Sequence, residues 1–177
     1  DEGVEWIRQK RGVARIIVKQ GSAQFYCTGS LINNTLADRM PYFLTANHCG
    51  EFASATDYLQ WVFAFNYETP ECVNPQMEPS MQTLTGANLV AKAIAGTTNG
   101  SDFKLLQLMQ DVPFSYNPYF NGWSRQENIT ATGVGIHHPD GDVKKISTYT
   151  SHPVSSRYGY GGVDPQAMYW RVQWSPT

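Results

Sequence analysis

Turn-forming residues interrupt the sequence at short intervals, and the segments between them are apolar and rich in β-branched and aromatic side chains. Such segments predict β-strands, because branched and aromatic side chains fit a pleated, half-buried surface. Apolar residues never keep the helical period of about 3.6 residues for more than about two turns. We therefore expect an all-β fold, with little helix beyond a turn after His48.

Ten strands are predicted, in two groups separated by a segment with two prolines and no periodicity, residues 109–118. Six precede it, at residues 13–18, 24–32, 42–46, 59–67, 84–95 and 103–108. Four follow it, at residues 119–123, 130–138, 143–150 and 167–174. Because closing a sheet removes its exposed edges, we expect two six-stranded antiparallel barrels, the second incomplete. The predicted domains are residues 1–110, the first barrel, and residues 111–177, the connection and the incomplete second barrel.

Charge and hydropathy exclude several classes of partner. The formal net charge is −2 and only 16% of the residues are charged, so no nucleic-acid partner is expected. No apolar run approaches the roughly 20 residues that a membrane-spanning helix requires, and the N-terminal residues lack the pattern of a signal peptide. We expect a soluble chain without a membrane span, from which any signal peptide has been removed.

The strongest chemical signal follows the predicted strand 42–46, where Thr-Ala and one variable residue lead into His48 and Cys49. This segment resembles the histidine motif of the chymotrypsin-like serine proteases. Cys27, which is followed by Thr-Gly-Ser-Leu, is similar to the Cys-x-Gly-Ser-Leu strand of the same family. The resemblance implies that both barrels are of the chymotrypsin type and that Cys27 forms a disulfide with Cys49.

His48 is the candidate general base. A group that removes a hydroxyl proton at neutral pH needs a pKa near that pH, and histidine meets this condition with the least adjustment. The alternative is a strand-end histidine that is hydrogen-bonded for packing alone. The two matched motifs favour the catalytic interpretation.

Asp102 is the candidate partner of this base, because an imidazole needs a carboxylate to hold its tautomer and to stabilise the imidazolium. It stands at the start of the apolar strand 103–108 and resembles the family's Asp followed by a Leu-Leu segment. The alternative is a solvated turn residue ahead of a strand. The family's order of His, then Asp, then Ser favours the orienting role.

Further segments are similar to the secreted bacterial lysyl endopeptidases over nearly the whole chain: residues 29–35, 42–46, 120–123, 135–139 and 172–174. The resemblance implies a secreted endopeptidase that acts on proteins or peptides and cleaves after Lys, or after Arg. No cofactor is expected.

Two other groups of residues are candidates for binding. Tyr160 and Gly161 stand where this family places an aromatic residue before a glycine-rich turn, close to the catalytic imidazole, so we expect them to contact substrate. His137 and His138 are adjacent and would face opposite sides of a strand, with no cysteine or carboxylate at ligand spacing. We expect them to pack in a turn and not to bind a metal.

The nucleophile motif is missing from the 177 residues. Neither Gly-Asp-Ser-Gly nor Gly-Ser-Ser-Gly-Ser occurs, so no serine is assigned the covalent role. We expect a companion C-terminal polypeptide, or a segment removed from this one, to carry the serine and complete the second barrel. Cys72 is the odd cysteine. The resemblance implies that its partner is one of two further cysteines that precede the stretch matched by residues 5–8 in the family, and neither occurs in this sequence.

Two other functions stay open: a catalytically inactive protease-like binding module, and a structural subunit with the same fold. Drift without selection for chemistry gives no reason to retain both His48 and Asp102, so the sequence favours the enzyme. A large separation between these two residues would support the structural subunit.

Overall fold

Antiparallel strands make up most of the regular structure in residues 2–94, 101–126, 129–157 and 168–176, which are the residues that the computed structural model describes. The all-β prediction is confirmed. One seven-stranded sheet has the order β5-β4-β1-β2-β3-β7-β6. Its strands are β1 (Val13–Gln20), β2 (Ala23–Ile32), β3 (Tyr42–Ala46), β4 (Val62–Phe65), β5 (Gln82–Thr85), β6 (Ala87–Lys92) and β7 (Phe103–Leu108).

The two edge strands of this sheet are consecutive in the chain and meet at Gly86. The N–H of Gly86 donates to the carbonyl of Trp61 ahead of β4, and its carbonyl accepts from the N–H of Met109 beyond β7. Gly86 has φ +89°, and a Cβ there would lie 2.8 Å from the sulfur of Met109. The sheet therefore curls until its edges meet, and the single predicted strand 84–95 is divided in two at this residue.

The interior of the curled sheet is filled by large side chains from alternate strand positions, which face the same side. Phe43, Phe63 and Trp61 are fully buried, and the Phe43 and Phe63 rings meet edge to face with centroids 4.9 Å apart. Burying each such side chain stabilises the fold by roughly 1.5–3 kcal/mol. This core fixes the frame from which the site residues project.

The predicted connection packs against the sheet and does not stand apart from it. Val112 is buried in the core, and the Tyr116 hydroxyl lies 3.2 Å from the carbonyl of Thr83, to which it donates. The predicted strand 119–123 is reduced to a single parallel bridge between Asn121 and Ile32. The division at residue 110 therefore stays a prediction.

Beyond the connection, the described residues form two separate two-stranded sheets. One pairs β8 (Gly133–His137) with β9 (Lys145–Tyr149), and the other pairs β10 (Val154–Ser156) with β11 (Tyr169–Arg171). Strands β8, β9 and β11 lie within predicted segments. Strand β10 was missed because Pro153 and two serines are typical of a turn. Among the described residues after the connection, no second six-stranded barrel is evident.

Side chains of the seven-stranded sheet anchor the part of the chain that follows the connection. The buried Arg15 guanidinium lies 3.8 Å from the ring centroid of Tyr67 and donates to the carbonyl of Gly141 at 2.8 Å. The N–H of His138 donates to the Thr28 hydroxyl at 2.9 Å. These contacts hold the β8–β9 hairpin close to β1 and β2.

The helical content in the described residues is small. The predicted turn after His48 is the four-residue helix α1 (Ala55–Tyr58), which Ser54 and Asp57 close with a capping box. Short 3₁₀ turns occur at Val4–Trp6, Gln9–Gly12, Phe114–Tyr116 and Pro139–Gly141. None of the helices in the described ranges is long and apolar enough to cross a bilayer.

Candidate active site

His48 lies in a tight turn at the end of β3. The turn closes by a hydrogen bond from the N–H of Cys49 to the carbonyl of Ala46, 3.2 Å long. Residues 42–46 pair with β7, and the last pair in register is Ala46 with Phe103. Because the residues just outside that pair stay adjacent, the turn faces the residue that precedes β7, which is Asp102.

Asp102 contacts His48 twice. One carboxylate oxygen, Oδ1, accepts the backbone N–H of His48 at 2.9 Å, and the other, Oδ2, lies 2.5 Å from Nδ1 of the imidazole. The carbonyl of Asp102 also accepts the N–H of Asn47 at 2.9 Å. Asp102 has φ +52°, a left-handed conformation that Asp and Asn tolerate better than most residues.

The two side chains differ in exposure in the way that a base and its orienting carboxylate require. The Asp102 side chain is 11% exposed, whereas the His48 side chain is 65% exposed. With Oδ2 accepting the proton on Nδ1, the neutral imidazole keeps a free lone pair on Nε2, directed away from Asp102. The arrangement can therefore remove a proton from a hydroxyl that approaches Nε2 from solvent.

The Cys27–Cys49 disulfide is present and ties the turn to β2. The two Cα atoms are 6.2 Å apart, within the reach of an undistorted bridge. Because Cys49 follows His48 directly, the covalent bond and the Asp102 carboxylate act on the same turn. In the described part of the chain Cys72 is an exposed free thiol.

Lys104 is a buried cation behind the site that we did not predict from the sequence. Its side chain is fully buried, and its ammonium donates to the carbonyls of Cys49 and Gly50, each at 2.7 Å. Burial lowers the pKa of Lys104 to about 8. The sequence contained a signal for this burial. Lys104, Leu106 and Leu108 are every second residue of β7, and all three face the buried side.

Of the two adjacent histidines, His138 packs in the interior, whereas His137 ends β8. His138 is buried, its ring stacks on Tyr67 with centroids 6.0 Å apart, and its Nδ1 lies 2.9 Å from the carbonyl of Asp142. Burial lowers the pKa of His138 to about 4, so the ring is neutral at physiological pH. Within the described ranges, no three His, Cys, Asp or Glu side chains converge to hold a metal. Tyr160 and Gly161 lie outside the described residues.

Three comparisons relate the chain to known proteases. A model of the family described as lysyl endopeptidase, C-terminal domain, matches residues 1–177. The lysyl endopeptidase of Pseudomonas aeruginosa is 30% identical over 154 residues, which cover 85% of this chain and 30% of that protein. A solved structure of an HtrA-type protease with a tripeptide matches with a TM-score of 0.59 at 14% identity, over 94% of this chain and 43% of the other. The structural likeness confirms the chymotrypsin type of fold.

Proposed function

Because the chain belongs to the lysyl endopeptidase C-terminal domain family, we propose that it forms the His- and Asp-bearing part of a serine endopeptidase. The observation that carries the proposal is the double contact between Asp102 and His48, through both the backbone N–H and the ring. A packing histidine needs neither an exposed Nε2 nor a buried carboxylate behind Nδ1. The inactive binding module explains neither feature.

In the proposed reaction, His48 acts through Nε2. It takes the proton of a serine hydroxyl as the oxygen attacks the scissile carbonyl, and later returns the proton to the leaving amine. Asp102 keeps the proton on Nδ1 and stabilises the imidazolium while it exists. Proton transfer by a positioned base contributes typically 10²- to 10⁴-fold to such a rate.

The serine is proposed to come from a companion C-terminal segment outside the 177 residues. Neither nucleophile motif occurs in the sequence, and the chain spans 30% of the length of its Pseudomonas relative. That segment would also supply the oxyanion hole, without which a base and its carboxylate cannot carry out acyl transfer. It would complete the second barrel beside β8–β11.

The proposed substrates are proteins or peptides cleaved after Lys, or after Arg. The family description and the relative's name support this choice, with Tyr160 and Gly161 as proposed substrate contacts. The disulfide fits an oxidising compartment, where such bonds persist. We therefore propose that the protein is secreted.

The test is labelling of the full-length protein that contains this chain with a serine-directed fluorophosphonate, followed by mass mapping of the labelled peptide. The label is expected on a serine outside residues 1–177, together with hydrolysis of a lysyl amide. His48→Ala should abolish both. His152→Ala is the matched control, because this exposed histidine contacts the carbonyl of Ile129 and not the site.

Two outcomes would contradict the proposal. One is labelling of a serine within residues 1–177, which would place the nucleophile where the sequence has no motif for it. The other is full labelling and hydrolysis by His48→Ala, which would show that another group serves as the base. Complete absence of labelling in the unmodified protein would favour the binding module.

A further inference from the structure

Lys104 lies on β7, two residues after Asp102, the carboxylate that holds His48. Both residues contact the turn that follows β3, Asp102 through the backbone N–H of His48 and Lys104 through the carbonyls of Cys49 and Gly50. Lys104 is fully buried. A lysine is almost never fully buried unless its charge is compensated, so the surroundings of its ammonium need a physical account.

Carbonyl oxygens and aromatic faces surround this ammonium. Two N–H groups donate to the carbonyls of Cys49 and Gly50 at 2.7 Å each. The nitrogen also lies 5.1 Å from the ring centroid of Trp61 and 5.3 Å from that of Tyr58. These distances are within the range of cation–π attraction. Among the ion pairs found in the described residues, none includes Lys104.

The buried ammonium and Asp102 hold four consecutive residues of the turn. Asp102 accepts the N–H groups of Asn47 and His48, and Lys104 donates to the carbonyls of Cys49 and Gly50. Two carbonyl oxygens that point to one place repel each other unless a cation lies between them. Without Lys104, the carbonyl of Cys49 would lose this donor, and the carbonyl of Gly50 would keep the N–H of Ala53, which donates to it at 3.1 Å.

We propose that Lys104 is a positioning residue for His48, because its ammonium fixes the carbonyls of the two residues that follow the imidazole. The proposal rests on the proposed function for its effect on catalysis. Its structural part, the control of the His48 ring by the turn, can be measured without activity.

Several charged or titratable groups face the Lys104 ammonium from the neighbouring elements. Lys92, its register partner on β6, destabilises the charged form, whereas Glu51 and Asp102 stabilise it. Tyr58 presents its ring. With a pKa of about 8, Lys104 carries its charge at neutral pH and loses it under mildly alkaline conditions.

The experiment compares Lys104→Met with Lys92→Met in the full-length protein. Methionine keeps the length and apolar character of the lysine stem but cannot donate to the two carbonyls. We expect a fall of about 10- to 100-fold in kcat with KM changed less than about twofold, the size of effect that a misplaced catalytic group produces. Lys92→Met is the matched control. Lys92 is an exposed lysine on the adjacent strand, and its ammonium donates to the carbonyl of Glu51 at 3.4 Å. The kcat of Lys92→Met should stay within about twofold of that of the unmodified protein.

The proton NMR signal of His48 Nδ1–H provides a readout that does not depend on activity. We expect this strongly downfield signal to be sharp in the unmodified protein and in Lys92→Met, and to be broadened or lost in Lys104→Met. Loss of the signal in a variant with unchanged thermal stability would separate positioning from general destabilisation. If the unmodified protein shows the signal but hydrolyses nothing, the proposed function fails and the positioning role still stands.

A second measurement covers the case in which Lys104→Met does not fold. In the unmodified protein, the amide signals of residues 48–51 should shift together with the titration of the Lys104 side chain, followed by its ¹³Cε resonance. Amide signals that stay constant through that titration would overturn the proposal. So would a folded Lys104→Met variant with unchanged kcat and an unchanged His48 signal.

Discussion

Replacement of Asp102 by Asn tests the pairing with His48 most directly. The carboxylate meets two donors at once, the backbone N–H of His48 through Oδ1 and the ring through Oδ2. An amide has one acceptor oxygen and one donor nitrogen. If its oxygen keeps the backbone N–H, its NH₂ group faces Nδ1 and forces the ring proton onto Nε2. Since Nε2 then has no lone pair, the imidazole cannot act as the base.

The expected loss in kcat/KM at neutral pH is about four orders of magnitude, the size of effect that this tautomer has in a known Ser-His-Asp enzyme. It corresponds to about 5 kcal/mol of transition-state stabilisation. Asn suits the test because Asp102 has φ +52°, a conformation that Asn also tolerates. The backbone should therefore stay in place, and the loss should fall on kcat. The assay is steady-state hydrolysis of a lysyl amide by the full-length protein, with circular dichroism to verify the fold.

Asp57→Asn is the matched control for this measurement. Asp57 also accepts two backbone N–H groups, from Ser54 at 2.8 Å and from Gly21 at 3.1 Å, but it caps α1 and does not contact His48. Its replacement should lower stability by about 1 kcal/mol and leave kcat/KM within about threefold. A folded Asp102→Asn variant that keeps kcat/KM within tenfold of the unmodified protein would refute the orienting role.

Two further predictions concern stability. The double variant Cys27→Ala/Cys49→Ala removes the bridge across a sequence separation of 22 residues. It should lower the free energy of unfolding by about 3 kcal/mol and Tm by roughly 6–12 °C. An unchanged Tm would contradict this prediction. His138 is neutral in the fold because burial lowers its pKa from 6.5 to about 4, so the unfolded chain takes up its proton first as the pH falls. Stability is therefore lost between about pH 6.5 and 4, and His138→Asn should show a shallower fall of Tm over that range, whereas equal slopes would exclude this contribution.

Local patterns in the sequence predicted most of the first barrel and the residues of its site. Alternation between buried and exposed positions identifies strands such as β7, where every second residue is buried. The pairing of His48 with Asp102 came from motifs that imply a known fold. Residue spacing alone could not have brought two groups 54 positions apart into contact.

Other features depend on tertiary contacts that a local pattern does not contain. The division of strand 84–95 follows from the hydrogen bonds of Gly86 to both edges of the sheet. Strand β10 is stabilised by its pairing with β11 in spite of weak local propensity. The role of Lys104 was missed because a single lysine in an apolar strand is typical of an exposed position until its carbonyl partners are known.

The closure at Gly86 places β6, a strand with little buried surface, beside β7, the strand that follows Asp102. β6 pairs with β7 through an irregular register between Leu89 and Ala91, and its residues after Ala87 are all exposed. Segments with little apolar burial open locally at a lower free energy than the whole domain. Detachment of β6 would expose the edge of β7 beside Lys104 to water. The amides of β6 should therefore exchange with solvent much faster than those of β1, and heat should inactivate the protein at a lower temperature than the one that melts its core.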